Sequence, residues 1–258
     1  MPGCPTGPFI GQPAQNPPRS RVLTQAQAPP LQTVLFTYFE LPRLRNKLFA
    51  FRNMGLGVGR FDQPAGMEWL KLLGSGGDNG FGLWPNWGGY ALLAAFPSEV
   101  LAKAALASEL WQAYARHSAS AKTLLLRPQQ SHGRWDGVEP FRTDGAYERD
   151  TETVVLTRAR IRLRHLPAFW SRVARVSESV GDYPERRFSV GVGELPVVQQ
   201  ATVSVWDSGR AMEDYAYRSE YHAEVVKLTR ERGWYAEELF CRFGLLAEVD
   251  GVVWAGGT

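Results

Sequence analysis

The same set of anchor residues occurs twice in this chain, in the same order. Residues 161–243 resemble a diverged copy of residues 36–127. The matched anchors are Leu41-Pro42 with Leu166-Pro167, Gly74-Ser75-Gly76 with Gly191-Val192-Gly193, Phe96-Pro97-Ser98 with Trp206-Asp207-Ser208, Ser108-Glu109 with Ser219-Glu220, and Leu126-Arg127 with Cys241-Arg242. Their offsets are 125, 117, 110, 111 and 115 residues, so only the loops changed length. The pattern indicates a tandem duplication of one βαββαβ unit.

Hydrophobic periodicity predicts the elements of each copy. In the first copy we predict strands at 34–39, 67–73, 89–96 and 122–127, and helices at 42–54 and 98–117. In the second copy we predict strands at 153–163, 187–192, 201–206 and 235–246, and helices at 167–181, 210–217 and 220–232. Leu44, Leu48 and Phe51 are expected to form the core-facing side of the first helix.

The predicted organisation has four parts. Residues 1–32 read as a disordered proline-rich tail, because eight of the 17 prolines lie within 1–30. Residues 33–128 form an N-terminal ferredoxin-like half, 129–152 a connector, and 153–258 a C-terminal ferredoxin-like half. Each half alone would leave one sheet face bare, so the two sheets should pack together. The predicted fold class is α+β, with the two units forming an intrachain dimeric α+β barrel.

Composition excludes several functions. A net charge of +3 without clustered basic residues argues against nucleic acid. Two cysteines provide neither a disulfide framework nor metal-ligand spacing, which favours a reducing, cytoplasmic compartment. The sequence shows neither an apolar run of about 18 residues nor a secretory signal, so we expect no integral membrane segment.

Histidine is the candidate metal ligand, and the chain has four. We expect structural or solvent-exposed roles for His117, His132 and His165. His222 shares one helical face with Val225, Val226 and Thr229, and stands where the first copy has Trp111. A core histidine bonded to a carbonyl oxygen is one interpretation. The other is a proximal ligand to haem iron, since a buried histidine on an apolar wall is a common haem arrangement.

Two further sequence patterns bear on ligand binding. Residues 74–81 are glycine-rich but lack the Gly-Lys-Ser/Thr ending of a phosphate loop, which favours a loop at the rim of a cavity. Arg158, Arg160, Arg162 and Arg164 alternate along a predicted strand. They indicate a solvated face or a cationic contact for haem propionates or an acidic electron donor.

Five segments of the chain form a distinctive set. They are residues 69–76, Pro85-Asn86 with Tyr90-Ala91, Arg164-His165-Leu166 with Phe169-Trp170, residues 191–194, and residues 233–239, which Arg242-Phe243 and Leu245-Leu246 extend. These segments resemble the spheroidene monooxygenase family. The resemblance covers roughly residues 34–248. Its most specific segment is 233–239.

The resemblance implies a haem-dependent monooxygenase of carotenoid biosynthesis. It would oxidise an apolar, carotenoid-like substrate with molecular oxygen, using haem b and electrons from a ferredoxin-type donor. His222 is the expected iron ligand, with His165 as second choice. Trp206, Phe240 and Phe243 are expected to line the cofactor pocket, and Arg242 to act in catalysis. Assembly into a homo-oligomer remains open.

Two departures from the family pattern keep alternatives open. The proline-rich tail is one, and Trp87-Gly88-Gly89, where the family has bulkier aliphatic residues, is the other. The scaffold could instead serve a haem enzyme of secondary metabolism that acts on a smaller, nitrogen-containing substrate. A third interpretation is a non-catalytic α+β domain that binds a ligand.

Overall fold

The chain folds as two similar halves. The structure, a computed structural model, describes residues 31–59, 61–77, 85–143, 145–171, 183–218 and 231–252. The first half comprises β1 (Thr33–Glu40), α1 (Leu44–Leu56), β2 (Trp69–Gly76), β3 (Pro85–Phe96), α2 (Glu99–Ala105), α3 (Glu109–His117) and β4 (Ser120–Gly133). The second comprises β5 (Thr153–Ile161), a 3-10 turn (Leu163–His165), β6 (Arg186–Gly193), β7 (Gln199–Trp206), α4 (Gly209–Arg218) and β8 (Tyr235–Asp250). Residues 166–171 are also helical.

The strands close into one barrel in the order β1-β3-β2-β6-β7-β5-β8-β4, which confirms the predicted fold. Each half has the same internal order, β4-β1-β3-β2 in the first and β8-β5-β7-β6 in the second. A long antiparallel ladder between β4 and β8 joins the halves on one side, from the pair Lys122–Asp250 to the pair Gly133–Leu239. On the other side β2 and β6 share only the pairs Gly74–Gly193 and Ser75–Val192 in the part of the chain described.

The barrel interior is a packed hydrophobic core. Successive side chains on a strand point to opposite faces, so alternate residues of every strand meet inside the barrel. Phe36, Leu126, Val203 and Phe243 are among them, each at most 2% exposed. The same alternation directs the intervening residues to the outer sheet faces.

Two helix predictions need correction. The helix predicted over 98–117 is divided into two helices, α2 and α3. Between them, the Ser108 hydroxyl donates a hydrogen bond to the Ala105 carbonyl oxygen at 2.6 Å, and Ser108 itself is the N-cap of α3. In α1 the predicted core face points outwards, with Leu44, Leu48 and Phe51 between 54% and 73% exposed. Asn46 is buried instead and donates to the His117 carbonyl oxygen at 2.6 Å. That bond to the end of α3 holds α1 in this rotation.

A charge network around Trp135 closes one end of the barrel. Arg158 is 3% exposed, lies 5.2 Å from the Trp135 ring, and meets three carboxylates, Asp136, Glu194 and Glu237. The predicted solvated arginine face is therefore wrong at Arg158, because this strand position points towards the barrel end.

Lys71 ties the first half into the same network. Its ammonium group lies 2.5 Å from Asp136 in the connector and 2.7 Å from Glu194 in the second half. Trp135 Nε1 donates to Glu194 at 2.8 Å. One network thus joins the two halves and the connector. None of the helices in the described part of the chain is long and apolar enough to cross a membrane.

Replacing Arg158 should destabilise the fold strongly. Arg158→Met leaves the carboxylate of Glu237, 20% exposed, without its cation, and loss of one partner from a buried pair costs about 3 kcal/mol or more. The free energy of unfolding in urea measures this. Arg160→Met, at an exposed position two residues away, should change it by less than about 0.5 kcal/mol. Equal effects of the two substitutions would contradict the network.

Candidate functional site

The outer sheet face of the first half is filled. Helices α1–α3 cover it, and Trp111 is fully buried, with its Nε1 donating to Thr37 Oγ1 at 3.0 Å. Thr37 and Thr123 share a further hydrogen bond of 3.2 Å. Aromatic packing fills this face and makes it a structural core. Its polar groups are not all paired, because the buried Asn53 side chain on α1 has no hydrogen-bond partner among the described residues.

The outer face of the second half carries a smaller aromatic cluster. Trp206 packs against Tyr215 at 5.3 Å and Tyr183 at 6.1 Å between ring centroids, and Phe240 borders the same cluster. Trp206 Nε1 donates to Ser204 Oγ at 2.9 Å. The structure thus brings Trp206 and Phe240, two of the predicted pocket residues, to one face.

Arg242 lies on the same face as Phe240, two residues along β8. Its guanidinium stacks 4.7 Å from the Tyr147 ring and 5.5 Å from the Phe240 ring. Nη1 donates to Gln130 at 3.1 Å and to Glu213 at 3.4 Å, whereas the buried Nε has no hydrogen-bond partner in the described part of the chain. The side chain is held in place yet keeps an unused donor.

Glu213 on α4 orients this arginine. Its carboxylate also accepts from the Tyr147 hydroxyl at 3.2 Å and from Arg149 at 2.5 Å. Burial, together with the negative charge of Glu213, raises the pKa of the Tyr147 phenol above its ordinary value despite the opposing effect of Arg242. Tyr147 therefore stays protonated and donates to Glu213.

Arg186 and Ser189 add further unused polar groups. A register shift between Arg186 and Phe188 pairs Arg186 with Trp206 on the outer face, while Phe188 turns inwards opposite Val205. Arg186 Nε and Ser189 Oγ are buried and have no hydrogen-bond partner within the ranges that the structure describes. Desolvation lowers the pKa of Arg186 below its ordinary value, because no carboxylate lies beside it in the described chain.

A cavity of about 400 Å³ lies beside the C-terminal end of β2 and the first residues of β6. Its lining combines both halves: Tyr38, Glu40, Ser75, Asn86 and the β6 residues Arg186, Arg187, Phe188, Ser189 and Val190. Ser75 belongs to the glycine-rich segment 74–81 and lines the cavity, as the prediction of a cavity rim requires. Residues 78–81 of that segment lie outside the described residues, so for them the prediction stays a prediction.

Arg186 and Arg187, which both line this cavity, differ in their contacts with carboxylates. Arg187 contacts three carboxylates, Glu152 at 2.8 Å, Asp207 at 3.3 Å and Glu248 at 3.7 Å. Arg186 contacts none in the described part of the chain. A partly buried cation without an anion is an expensive arrangement for a protein by itself, which points to an anionic ligand.

Two predicted residues lie away from this face. Phe243 points into the barrel interior, where its ring is 5.2 Å from Phe141, on the opposite side of β8 from Phe240. His165 follows the end of β5, whereas Trp206 pairs with Thr153 at the start of β5. Eight steps of about 3.3 Å separate those ends by roughly 25 Å.

The surroundings of His165 are cationic. Arg164 Nε donates to its Nε2 at 2.9 Å, and its ring lies 6.5 Å from that of Trp234. Desolvation and the positive charges of Arg164, Arg162 and Arg232 lower the pKa of His165 below its ordinary value. The imidazole is therefore neutral at pH 7.

His222, the predicted iron ligand, lies in 219–230, outside the described residues, so its assignment stays a prediction. Among the residues that the structure does describe, no three His, Cys, Asp or Glu side chains are grouped as a metal site.

Sequence reasoning missed Arg186 and Ser189. Strict strand alternation would place Arg186 on the same face as Phe188 and Val190, inside the barrel. The β-bulge reverses this, and a bulge in a strand without a glycine or proline signal cannot be read from the sequence. Arg186 next to Arg187 was the only available signal.

Solved structures share this fold. An aldoxime dehydratase superposes with a TM-score of 0.56 at 12% identity, covering 85% of this chain and 84% of the other. A second aldoxime dehydratase, OxdRE in complex with butyraldoxime, gives 0.54 at 11% identity, covering 86% and 84%. These similarities place the chain among duplicated ferredoxin-like barrels. No protein-family model matches the chain.

Curated relatives identify the family. Spheroidene monooxygenase of Rhodobacter capsulatus is 38% identical over 188 residues, covering 72% of this chain and 78% of the relative. The enzyme of Rubrivivax gelatinosus is 36% identical, covering 78% and 79%, and that of Cereibacter sphaeroides 33% identical, covering 85% and 68%. The chain belongs to the spheroidene monooxygenase family, as its residues predicted, and is a monooxygenase.

The contrast between the two arginines is testable in the protein without ligand. Arg186→Met should leave the free energy of unfolding unchanged or raise it by up to about 1 kcal/mol, because a partly desolvated cation is removed. Arg187→Met removes three ion pairs and should lower it by up to about 1 kcal/mol. Urea unfolding measures both. A larger loss for Arg186→Met than for Arg187→Met would show that Arg186 is structural.

Proposed function

We propose that this protein is a haem-dependent monooxygenase that oxidises an acyclic carotenoid with molecular oxygen and electrons from a ferredoxin-type donor. The family relationship supports the oxygenase chemistry and, through the relatives' name, the substrate class. The observation that carries the location is the outer face of the second half. There, beside an aromatic wall, buried Arg186 Nε, Ser189 Oγ and Arg242 Nε lack hydrogen-bond partners among the described residues.

These residues fit haem chemically. Haem is a flat apolar disc with two carboxylates, and it needs an apolar wall together with cations. Trp206, Tyr215 and Phe240 supply the wall, and Arg186 supplies a cation that has no counter-ion among the described residues. When bound, haem supplies the redox chemistry by which oxygen is activated.

His222 is the proposed iron ligand. Its helical stripe with Val225, Val226 and Thr229, and its match to Trp111 in the first copy, support this choice. The first half fills its outer face with Trp111, so the exchange to histidine accompanies the change from a packed face to a ligand-binding one. His165 is the second choice. It lies beyond the C-terminal end of β5, whereas Trp206 pairs with Thr153 at the N-terminal end of that strand.

Arg242 is the proposed catalytic residue. Glu213 and Gln130 hold its Nη1, and stacking on Tyr147 and Phe240 fixes the guanidinium plane. Its free Nε–H can therefore donate to an oxygen atom on the ligand side without any rearrangement. Glu213 acts as its positioning residue.

The cofactor proposal predicts a visible spectrum. Full-length protein produced with an adequate supply of haem should show a Soret band, and His222→Ala should abolish or shift it because the axial nitrogen is lost. His165→Ala is the matched control and should leave the band unchanged. Absence of the band from the wild-type protein would refute haem dependence. A band altered by His165→Ala alone would transfer the ligand to His165.

A second experiment tests whether Arg186 holds a haem carboxylate. Apo-protein is titrated with haemin and with haemin dimethyl ester, whose propionates carry no charge. The wild-type protein should bind haemin about tenfold or more tightly than the ester, since a charge-assisted hydrogen bond is lost. Arg186→Gln should remove that preference, and Arg187→Gln should retain it because Arg187 already faces three carboxylates. A preference that survives in Arg186→Gln would refute the role.

A further inference from the structure

An apolar face of α1 is exposed to solvent. Leu44, Leu48, Phe51 and Leu56 are 73%, 59%, 54% and 66% exposed, respectively. Trp87, at the start of β3, is 52% exposed and packs edge-on against Phe51 with ring centroids 5.3 Å apart. We call these five residues the α1 patch. Scattered exposed apolar residues are ordinary, but five large ones on one helix and its neighbouring strand mark an interaction surface.

The rim of the α1 patch is positively charged. Arg43, Arg45, Lys47 and Arg52 lie in or beside α1, and the stretch 41–61 contains no aspartate or glutamate. Arg43, Arg45 and Arg52 are exposed and Lys47 is half-buried. Within the described residues, none of the four forms a salt bridge with a carboxylate. The surface therefore combines apolar area with cations that have no counter-ion.

We propose that the α1 patch docks the protein onto an anionic membrane surface. A helix that carries Leu and Phe on one side and Lys or Arg at the rim lies in the interface plane, with its apolar side among the acyl chains and its cations at the head groups. Each basic side chain near such a surface contributes attraction that salt weakens. Trp87 is of the residue type that favours the head-group level.

Charge distinguishes this occupant from a second copy of the chain. A symmetric interface between two α1 patches would bring four cations of one copy towards the same four of the other, and the stretch 41–61 supplies no carboxylate to separate them. That arrangement is repulsive. An anionic lipid surface complements the same charges, so the membrane is the favoured partner.

The α1 patch borders the cavity described above. Trp87 follows Asn86, which lines the cavity. The next residue, Gly88, lies close to Lys47 of α1, and its carbonyl oxygen accepts a hydrogen bond from the Leu41 backbone N–H at 2.7 Å. The advantage of docking rests on the proposed function, because a carotenoid dissolves in the bilayer and must be drawn from it. Docking itself does not depend on haem or on turnover, so the two proposals can fail separately.

The test measures binding of full-length protein to phosphatidylcholine vesicles with and without phosphatidylglycerol, by co-sedimentation. The wild-type protein should bind the anionic vesicles, less tightly as salt rises, and the neutral vesicles weakly. Leu48→Ser with Phe51→Ser should weaken binding about tenfold or more, because apolar area no longer enters the acyl region. Arg45→Gln with Arg52→Gln should weaken it and flatten its salt dependence.

Matched controls come from exposed apolar residues elsewhere. Val100→Ser and Leu163→Ser, at positions 76% and 71% exposed, should bind like the wild-type protein. Equal loss in these controls would overturn the proposal, as would failure of the wild-type protein to bind anionic vesicles. If Leu48→Ser with Phe51→Ser converts an oligomer to a monomer without altering vesicle binding, the patch contacts a second copy instead. If the wild-type protein is monomeric and does not bind, residues 1–30 would be the remaining candidate cover.

Discussion

The ladder between β4 and β8 is the constraint on which the rest of the structure depends. It joins the last strand of each half over nearly the full length of β4, and with the short β2–β6 contact it closes the barrel. Closure turns one face of every strand inwards, where the side chains pack into a core. A ligand site must then lie on an outer face or at a barrel end. The charge network around Trp135 occupies one of those ends.

The two outer faces differ in how they are filled. In the first half, Trp111 and its neighbours fill the face and Trp111 Nε1 is hydrogen-bonded to Thr37, although the buried Asn53 side chain has no hydrogen-bond partner among the described residues. In the second half, the corresponding face keeps arginine and serine donors that no group in the described part of the chain uses. Such unsatisfied groups are a cost to the apo-protein that a ligand can offset. Under the proposed function, the duplication lets one copy stabilise the barrel while the other binds.

The candidate site could be predicted only in part. Trp206 on β7 and Phe240 and Arg242 on β8 meet because both strands pair with β5 and alternation turns these side chains to the same outer face. Phe243 was assigned to the same pocket, yet strand alternation turns it into the barrel. Arg186 reaches the site through a bulge that alternation cannot reveal. The face of α1 was mispredicted because a hydrogen bond from Asn46 to His117, 71 residues away, sets the rotation of that helix.

By itself, the sequence determined the repeated unit, the order of its strands, the closed barrel and membership of the monooxygenase family. The repeat and the barrel follow from local periodicity and from anchors that recur at nearly constant offsets, whereas the family follows from the resemblance of five segments. The tertiary structure alone decided which side chains share a face, which arginine is neutralised and which is left free, and which side of α1 meets solvent. These depend on bulges, on helix rotation and on contacts between residues far apart in the chain.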